Sequence, residues 1–309
     1  MKKTREAFSL IELSIVILVV GILVAGVFSS SRLVSNSRIK TAQTLTQSSP
    51  VAGIKGLSLW LETTSSNSFV AGVEDGDDIT TWNDINPQTT QKFFALRSIS
   101  DSTLEYREND NDSIGHLPSL YFSGSVNQIL TLCTNSDISQ ISSTKTPLVT
   151  PFNAYTFFVV VKKIGAETGA NGILYNGKPS YPRNGWGGLF SSDEGPQTYI
   201  LYSSNNNFGM EPVLNDASYI LTASYDGNGI YSAYNAGSPM TMPSIETPAI
   251  ENIPTTEMVI GAYSNIDFPW KGYISEIIVY NRAIKKEERE SVESYLSRKY
   301  SIPVSFSNS

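Results

Sequence analysis

The stretch FSLIELSIVILVVGILVAGVF, Phe8 to Phe28, constrains this chain more than any other. Its 21 residues are apolar apart from Ser9, Glu12 and Ser14. At 1.5 Å per residue such a helix is roughly 31 Å long, close to the ~30 Å hydrocarbon thickness of a bilayer. Backbone in lipid must satisfy its own hydrogen bonds, so a transmembrane helix is the expected form. Lys2, Lys3 and Arg5 precede it and hold the N-terminus on the cytoplasmic side. The run exceeds the apolar core of about 7–15 residues of a cleaved secretory signal, and no A-x-A pattern follows it. A plain anchor fits the length but gives Glu12 no role. A carboxylate at mid-bilayer costs about 2.5–3.5 kcal/mol, and less near the interface.

The segment KKTREAFSLIELSIVILVVGILVAGV, Lys2 to Val27, resembles the N-terminus of type IV prepilins and of the pseudopilins of type II secretion. The likeness covers a basic leader, a small residue, then Phe, Ser-Leu, Ile, Glu and an apolar run. It implies a prepilin peptidase as partner, cleaving between Ala7 and Phe8 and methylating the new amino group of Phe8. It also implies that Glu12 serves assembly, facing the positive terminus of a neighbouring subunit. Such a buried pair would set register more than add stability. The family usually has Gly before the cut, where this chain has Ala7.

The chain has 309 residues, a length that suggests about two folding units. Charged residues are 17%, below the usual ~25%, which suits a turn-rich, extracytoplasmic β surface. The net charge is −7, and loss of residues 1–7, with three bases and one acid, makes it −9. That acidity speaks against nucleic-acid binding, which needs a basic footprint. The single cysteine, Cys133, excludes an intramolecular disulfide and reads as a buried thiol in the strand-like ILTLCTN. The single histidine, His116, has no nucleophile motif nearby and reads as a loop or core residue.

Ser29 to Ser49 continues the helix beyond the apolar run, and Pro50 and Gly53 break it. Strand signals follow in YTFFVVVKK (Tyr155–Lys163), TYILYSS (Thr198–Ser204), YILTASYDG (Tyr219–Gly227), GIYSAYNAG (Gly229–Gly237), MVIGAYS (Met258–Ser264) and GYISEIIVYNR (Gly272–Arg282). Lys285 to Tyr300 reads as a helix, with Val292, Tyr295, Leu296, Lys299 and Tyr300 on one face. Its early glutamates and late Arg298 and Lys299 suit the helix dipole. The expected fold is mainly β: an N-terminal membrane-spanning helix, a two-sheet antiparallel β-sandwich and a C-terminal helix. The expected boundaries are a leader at 1–7, a pilin-type helix at 8–49 (transmembrane at 8–28), a linker at 50–56, the sandwich at 57–302 and a tail at 303–309.

Segments from LSLWLETT (Leu57–Thr64) through DDITTWNDIN (Asp77–Asn86) and PSLYFSGSVNQILTL (Pro118–Leu132) to the run Val259–Ile302 resemble laminin-G-like, or concanavalin A-like, jelly rolls. The resemblance implies a two-sheet sandwich and no single activity, because such folds carry many functions. A glycosidase would need paired acids across a groove, and Glu276 stands alone in its strand, so no catalytic residue is assigned and no enzyme is expected. EDGDD (Glu74–Asp78) and ENDND (Glu108–Asp112) lack calcium-loop spacing and read as acidic turns; no cofactor is assigned, calcium being the one open alternative. Trp60 and Trp82 read as core, Trp270 as cover for a sheet edge, and Trp186 with Tyr181 as the candidate ligand-binding aromatics.

The resulting expectation is a minor pilin or pseudopilin held in a bacterial inner membrane with its head in the periplasm. It would pack with other pilin-like subunits into a type IV pilus or type II pseudopilus. There its head would display a surface for a glycan or protein ligand. The alternative is a membrane-anchored carbohydrate-binding protein, or a glycosidase-like enzyme, outside any filament.

Overall fold

The computed structural model describes residues 10–306, apart from 98–101, 109–111, 149–153, 166–169, 179–183, 192–194, 203–204, 211–216, 242–255 and 264–267. The first element, α1, is a single helix at Leu10–Gln47. Its hydroxyls turn back on the helix: Ser14 donates to Ile11 O at 2.8 Å, Thr41 to Ser37 O and Thr44 to Lys40 O at 2.9 Å. These residues therefore need no outside partner to sit in the helix. Pro50 opens a short 3₁₀ turn, Val51–Gly53, and the chain enters the head.

Every residue from Leu10 to Val24 is exposed, the large apolar side chains by between 48% (Val24) and 84% (Leu10). In this half of α1 the side chains are described as far as Val24, and among the described residues no helix is long and apolar enough to cross a membrane.

The head is mainly β, two antiparallel sheets packed face to face with a C-terminal helix laid on one of them. The first sheet contains β1 (Leu57–Glu62), β4 (Glu105–Arg107), β5 (Ser119–Ser123), β7 (Tyr155–Lys163), β12 (Ser218–Tyr225), β13 (Tyr231–Asn235), β14 (Ser238–Pro239) and β16 (Lys271–Tyr280). The second contains β2 (Thr81–Asn83), β3 (Phe94–Arg97), β6 (Leu130–Cys133), β8 (Ala170–Lys178), β9 (Asn184–Ser191), β10 (Gly195–Tyr202), β11 (Asn205–Met210) and β15 (Glu257–Ile260). A single turn, α2, spans Ile141–Thr144, and α3 spans Lys286–Tyr300. The orders are β14-β13-β12-β7-β16-β5-β4, with β1 also on β16, and β11-β10-β9-β8-β15-β6-β3-β2.

The first sheet is covered on both faces. Leu61, Phe157, Val159, Ile277 and Val279 point between the sheets. Trp60, Phe158, Val160 and Ile278 point the other way, against Val292, Tyr295 and Leu296 of α3 and Ala42 of α1. That double burial explains why β7 reads as an unbroken apolar run, whereas a strand wet on one face would alternate.

A bulge in β16 sets the direction of one carboxylate. The strand pairs Ile274 with Val161 and then Glu276 with Val160, leaving Ser275 as the extra residue. Ile274 and Ile277 both face the inter-sheet core, so the inserted residue turns Glu276 away from that core and towards α3. At the same point the edge of β16 passes from β5 to β1.

Most expected elements fall within a few residues of their place. β3, β4, β8, β9 and β11 were not expected: β3 and β4 are three or four residues long, and the Gly and Asn of β8, β9 and β11 weaken the strand pattern. Trp270, expected over a sheet edge, is fully buried between the sheets. Cys133 is a buried free thiol on β6, and His116 is an exposed loop residue.

Candidate functional site

The expected processing residues, Ala7 and Phe8, lie outside the described residues. Glu12 sits in the first turns of α1, exposed between the exposed apolar neighbours Ile11 and Leu13.

The other end of α1 behaves differently. Ala42 and Thr46 are buried against the head, and Gln43 Nε2 donates to Thr64 O at 2.8 Å. Beneath them lies a closed cluster of charged and hydroxyl groups. Glu62 of β1 and Glu276 of β16 are cross-strand partners. Like charges placed opposite one another repel, and Lys299 of α3 resolves this. Its Nζ donates at 2.8 Å to Glu62 Oε2, to Glu276 Oε2 and to Thr46 Oγ1. All three charged side chains have no solvent exposure.

The remaining capacity of Glu276 is filled by Trp60 Nε1 at 2.8 Å and the hydroxyls of Tyr295 and Tyr300 at 2.9 Å. Glu62 Oε2 also accepts from the backbone and hydroxyl of Thr64 at 2.7 Å, while its Oε1 has no hydrogen-bond partner among the described residues. Burial alone would lower the Lys299 pKa, but Glu276 and Glu62 hold the ammonium well above the ordinary lysine range. The cluster joins the end of α1, through Thr46, to β1, β16 and α3. Removing one partner of such a buried group is strongly destabilising, because it leaves an uncompensated charge.

A second cluster anchors the start of α3. Arg289 Nη1 pairs with Glu293 Oε2 at 2.5 Å, and its guanidinium lies 3.7 Å from the centre of the Tyr234 ring. Thr222 donates to Glu293 Oε1 at 2.8 Å. Burial pushes the Glu293 carboxyl up to about 7, against the opposing pull of Arg289 and Thr222. The end of α3 approaches the loop before β5 so closely that a Cβ on Gly115, at φ 63°, would stand 2.6 Å from Tyr300 O.

Trp186, one of the two expected ligand-binding aromatics, offers no exposed ring face. Trp186 is 2% exposed and lies between the sheets, stacked on Tyr155 with ring centres 4.5 Å apart. Its glycine neighbours pair along β9 and give the ring no outer face. Tyr181 lies outside the described residues. The acidic turn at Glu74–Asp78 closes on itself. Asp77 accepts from Glu74 N at 2.8 Å, Asp75 accepts from Glu108 N at 2.7 Å, and Asp78 pairs with the buried Arg97. Among the described residues no three His, Cys, Asp or Glu side chains form a metal-binding group.

Glu276 does not stand alone once folded, because Glu62 comes beside it across the strands. Both carboxylates are sealed beneath α3, so the pair holds Lys299 and has no route to a substrate. Sequence reading missed Glu62 and the role of Lys299. The signal was a lysine on the apolar face of α3, between two tyrosines.

No protein-family model matches this sequence, and no curated protein matches it. Solved structures do. The Trypanosoma rangeli sialidase bound to the inhibitor DANA aligns at 11% identity and TM-score 0.48, over 82% of this chain and 38% of its own. Domain 4 of AbnA, a GH43 extracellular arabinanase from Geobacillus stearothermophilus in complex with arabinotriose, aligns at 14% identity and TM-score 0.48, over 77% and 98%. The botulinum neurotoxin serotype D binding domain aligns at 12% identity and TM-score 0.51, over 80% and 52%. This chain thus spans well under two thirds of the sialidase and of the toxin domain, and at these identities the likeness concerns the fold alone.

Proposed function

We propose that this chain is a pilin-like subunit that displays a β-sandwich head from a membrane-inserted, filament-forming helix. The observation that carries the reading is the exposure of α1 from Leu10 to Val24 on every face, with Glu12 among the apolar side chains. A bilayer would cover that surface before assembly and neighbouring helices would cover it afterwards. In this reading a prepilin peptidase cuts between Ala7 and Phe8, and Glu12 pairs with the new amino group of a neighbour. The filament is a type IV pilus or a type II secretion pseudopilus. A head this large suits a minor, tip-located subunit. The cluster around Lys299 holds helix and head at one angle, as a subunit that transmits register through a filament requires.

A second reading keeps the anchor and drops the filament: a membrane-anchored carbohydrate-binding protein. It needs only the exposed apolar half of α1 and no neighbouring subunit. In neither reading do Glu62 and Glu276 catalyse, because α3 and Lys299 close them off.

Intact mass and N-terminal sequencing of the protein from native membranes, beside a Glu12→Ala variant, test the proposal. The expected result is a chain starting at N-methyl-Phe8, with Glu12→Ala processed normally but absent from the filament fraction. A chain still starting at Met1 overturns the filament reading and leaves the anchored one.

A further inference from the structure

Where α1 meets the head there is a cleft of about 260 Å³. Gln43 and Gln47 of α1, Ser66 and Asn67 of the loop after β1, and the half-buried Ala52 and Ile85 line it. In a chain with 22 basic and 29 acidic residues, no side chain lining this cleft is charged. We propose that the cleft is a binding site for an uncharged sugar unit. The inference deepens the carbohydrate-binding reading, moves the site away from Trp186, and does not depend on a filament.

The chemistry of the walls selects the ligand class. Side-chain amides offer donors and acceptors side by side, and hydroxyls do the same. Adjacent hydroxyls on a sugar ring match that alternation. An ion would find no counter-charge, and a wholly apolar ligand would strand the polar walls without partners. The partly exposed Ala52 and Ile85 offer apolar surface to the C–H face of a sugar ring.

The walls are already held in place. Gln43 donates to Thr64 O at 2.8 Å, Asn83 donates to Asn67 O at 3.1 Å, and Trp60 Nε1 donates to Glu276 at 2.8 Å. Preorganised walls lose little freedom on binding, which favours affinity in a small site. Gln43 lies 19 residues beyond Val24 in the same helix, so the cleft stands roughly 28 Å past the described apolar half. Because the two walls belong to α1 and to the head, a bound sugar bridges them and resists bending at the neck.

The test is saturation-transfer NMR on the full chain, in a detergent without a sugar headgroup, with glucose, galactose and N-acetylglucosamine in turn. At least one of the three receives saturation. The double variant Gln47→Ala/Asn67→Ala weakens that binding by about thirtyfold, since two hydrogen-bonding groups of about 1 kcal/mol each are lost. Its melting temperature stays unchanged because both residues are exposed. Absence of transfer to all three sugars overturns the proposal. So does transfer that is unaltered in the double variant, or stronger transfer to sialic acid, whose charge the cleft does not match. N-terminal sequencing of the same preparation separates the outcomes. A blank sugar result with a mature Phe8 sinks the cleft and keeps the filament; sugar binding by an uncut chain does the reverse.

Discussion

The two ends of α1 are one continuous helix with opposite relations between chemistry and burial. Leu10–Val24 is apolar and exposed on all faces. The stretch around Ala42–Thr46 is more polar, yet Ala42 and Thr46 are buried, and a hydroxyl of this end accepts from a buried ammonium. The first end leaves its apolar side chains uncovered by the head. The second has its partners within the chain, on β1, β16 and α3. Both ends are helical, so the difference lies in which surfaces are covered.

Removing residues 1–28 breaks the comparison most severely. The full chain is expected in the membrane pellet and the shortened chain entirely in the supernatant after fractionation. A shortened chain that still pellets would mean that the head itself holds the membrane.

The polar end is tested by Lys299→Met, which leaves Glu62 and Glu276 buried and facing each other without a cation. Unfolding by urea should show a loss of about 3–5 kcal/mol. Replacing all three groups, as Lys299→Met/Glu62→Leu/Glu276→Leu, should recover most of it, since apolar groups need no counter-charge. A single variant as stable as the parent would show that the cluster does not hold the helix.

The head should also respond to pH through Glu293. Its folded pKa of about 7 lies above the ordinary carboxyl value of 4.5, so its contribution is full below 4.5 and is lost as pH rises through 7. Between pH 5 and pH 8 this group removes about 2–3 kcal/mol of stability at most. Glu293→Gln should flatten that part of the profile. Lys299, held above its ordinary value, contributes unchanged across this window, because a raised lysine loses its effect only at higher pH. An identical pH slope in parent and Glu293→Gln would remove Glu293 as the source. The smallest expected effect is that of Thr46→Val, about 1 kcal/mol for one lost hydroxyl, since Lys299 keeps both carboxylates.

Much of the fold was legible in the residues. β7 lies where its apolar run predicts, and α3 begins one residue after the expected Lys285. Trp60 and Trp82 are core as expected. The site was less legible. Glu276 reads as isolated because its partner Glu62 is distant in sequence and meets it only through the β1–β16 pairing. Even with that pairing known, strict alternation from Ile274 would aim Glu276 between the sheets, and the bulge at Ser275 reverses it. Trp186 misled for a related reason. Glycines beside an aromatic suggest an open loop, but here they are strand residues of β9, and the ring packs on Tyr155.

Local pattern alone therefore determined the long helix, the apolar character of its first half, the position of Glu12, the β-rich head and the closing helix. Each depends on neighbours within a few residues, where periodicity and turn chemistry act. Only tertiary structure decided that Lys299 joins two carboxylates and Thr46, that Trp186 is sealed, and that an uncharged cleft opens at the neck. Those features depend on strand register, on one inserted residue and on the docking of two helices against the same sheet. Contacts of that kind join residues more than 200 positions apart, such as Trp60 with Glu276 and Thr46 with Lys299, and no local pattern carries them.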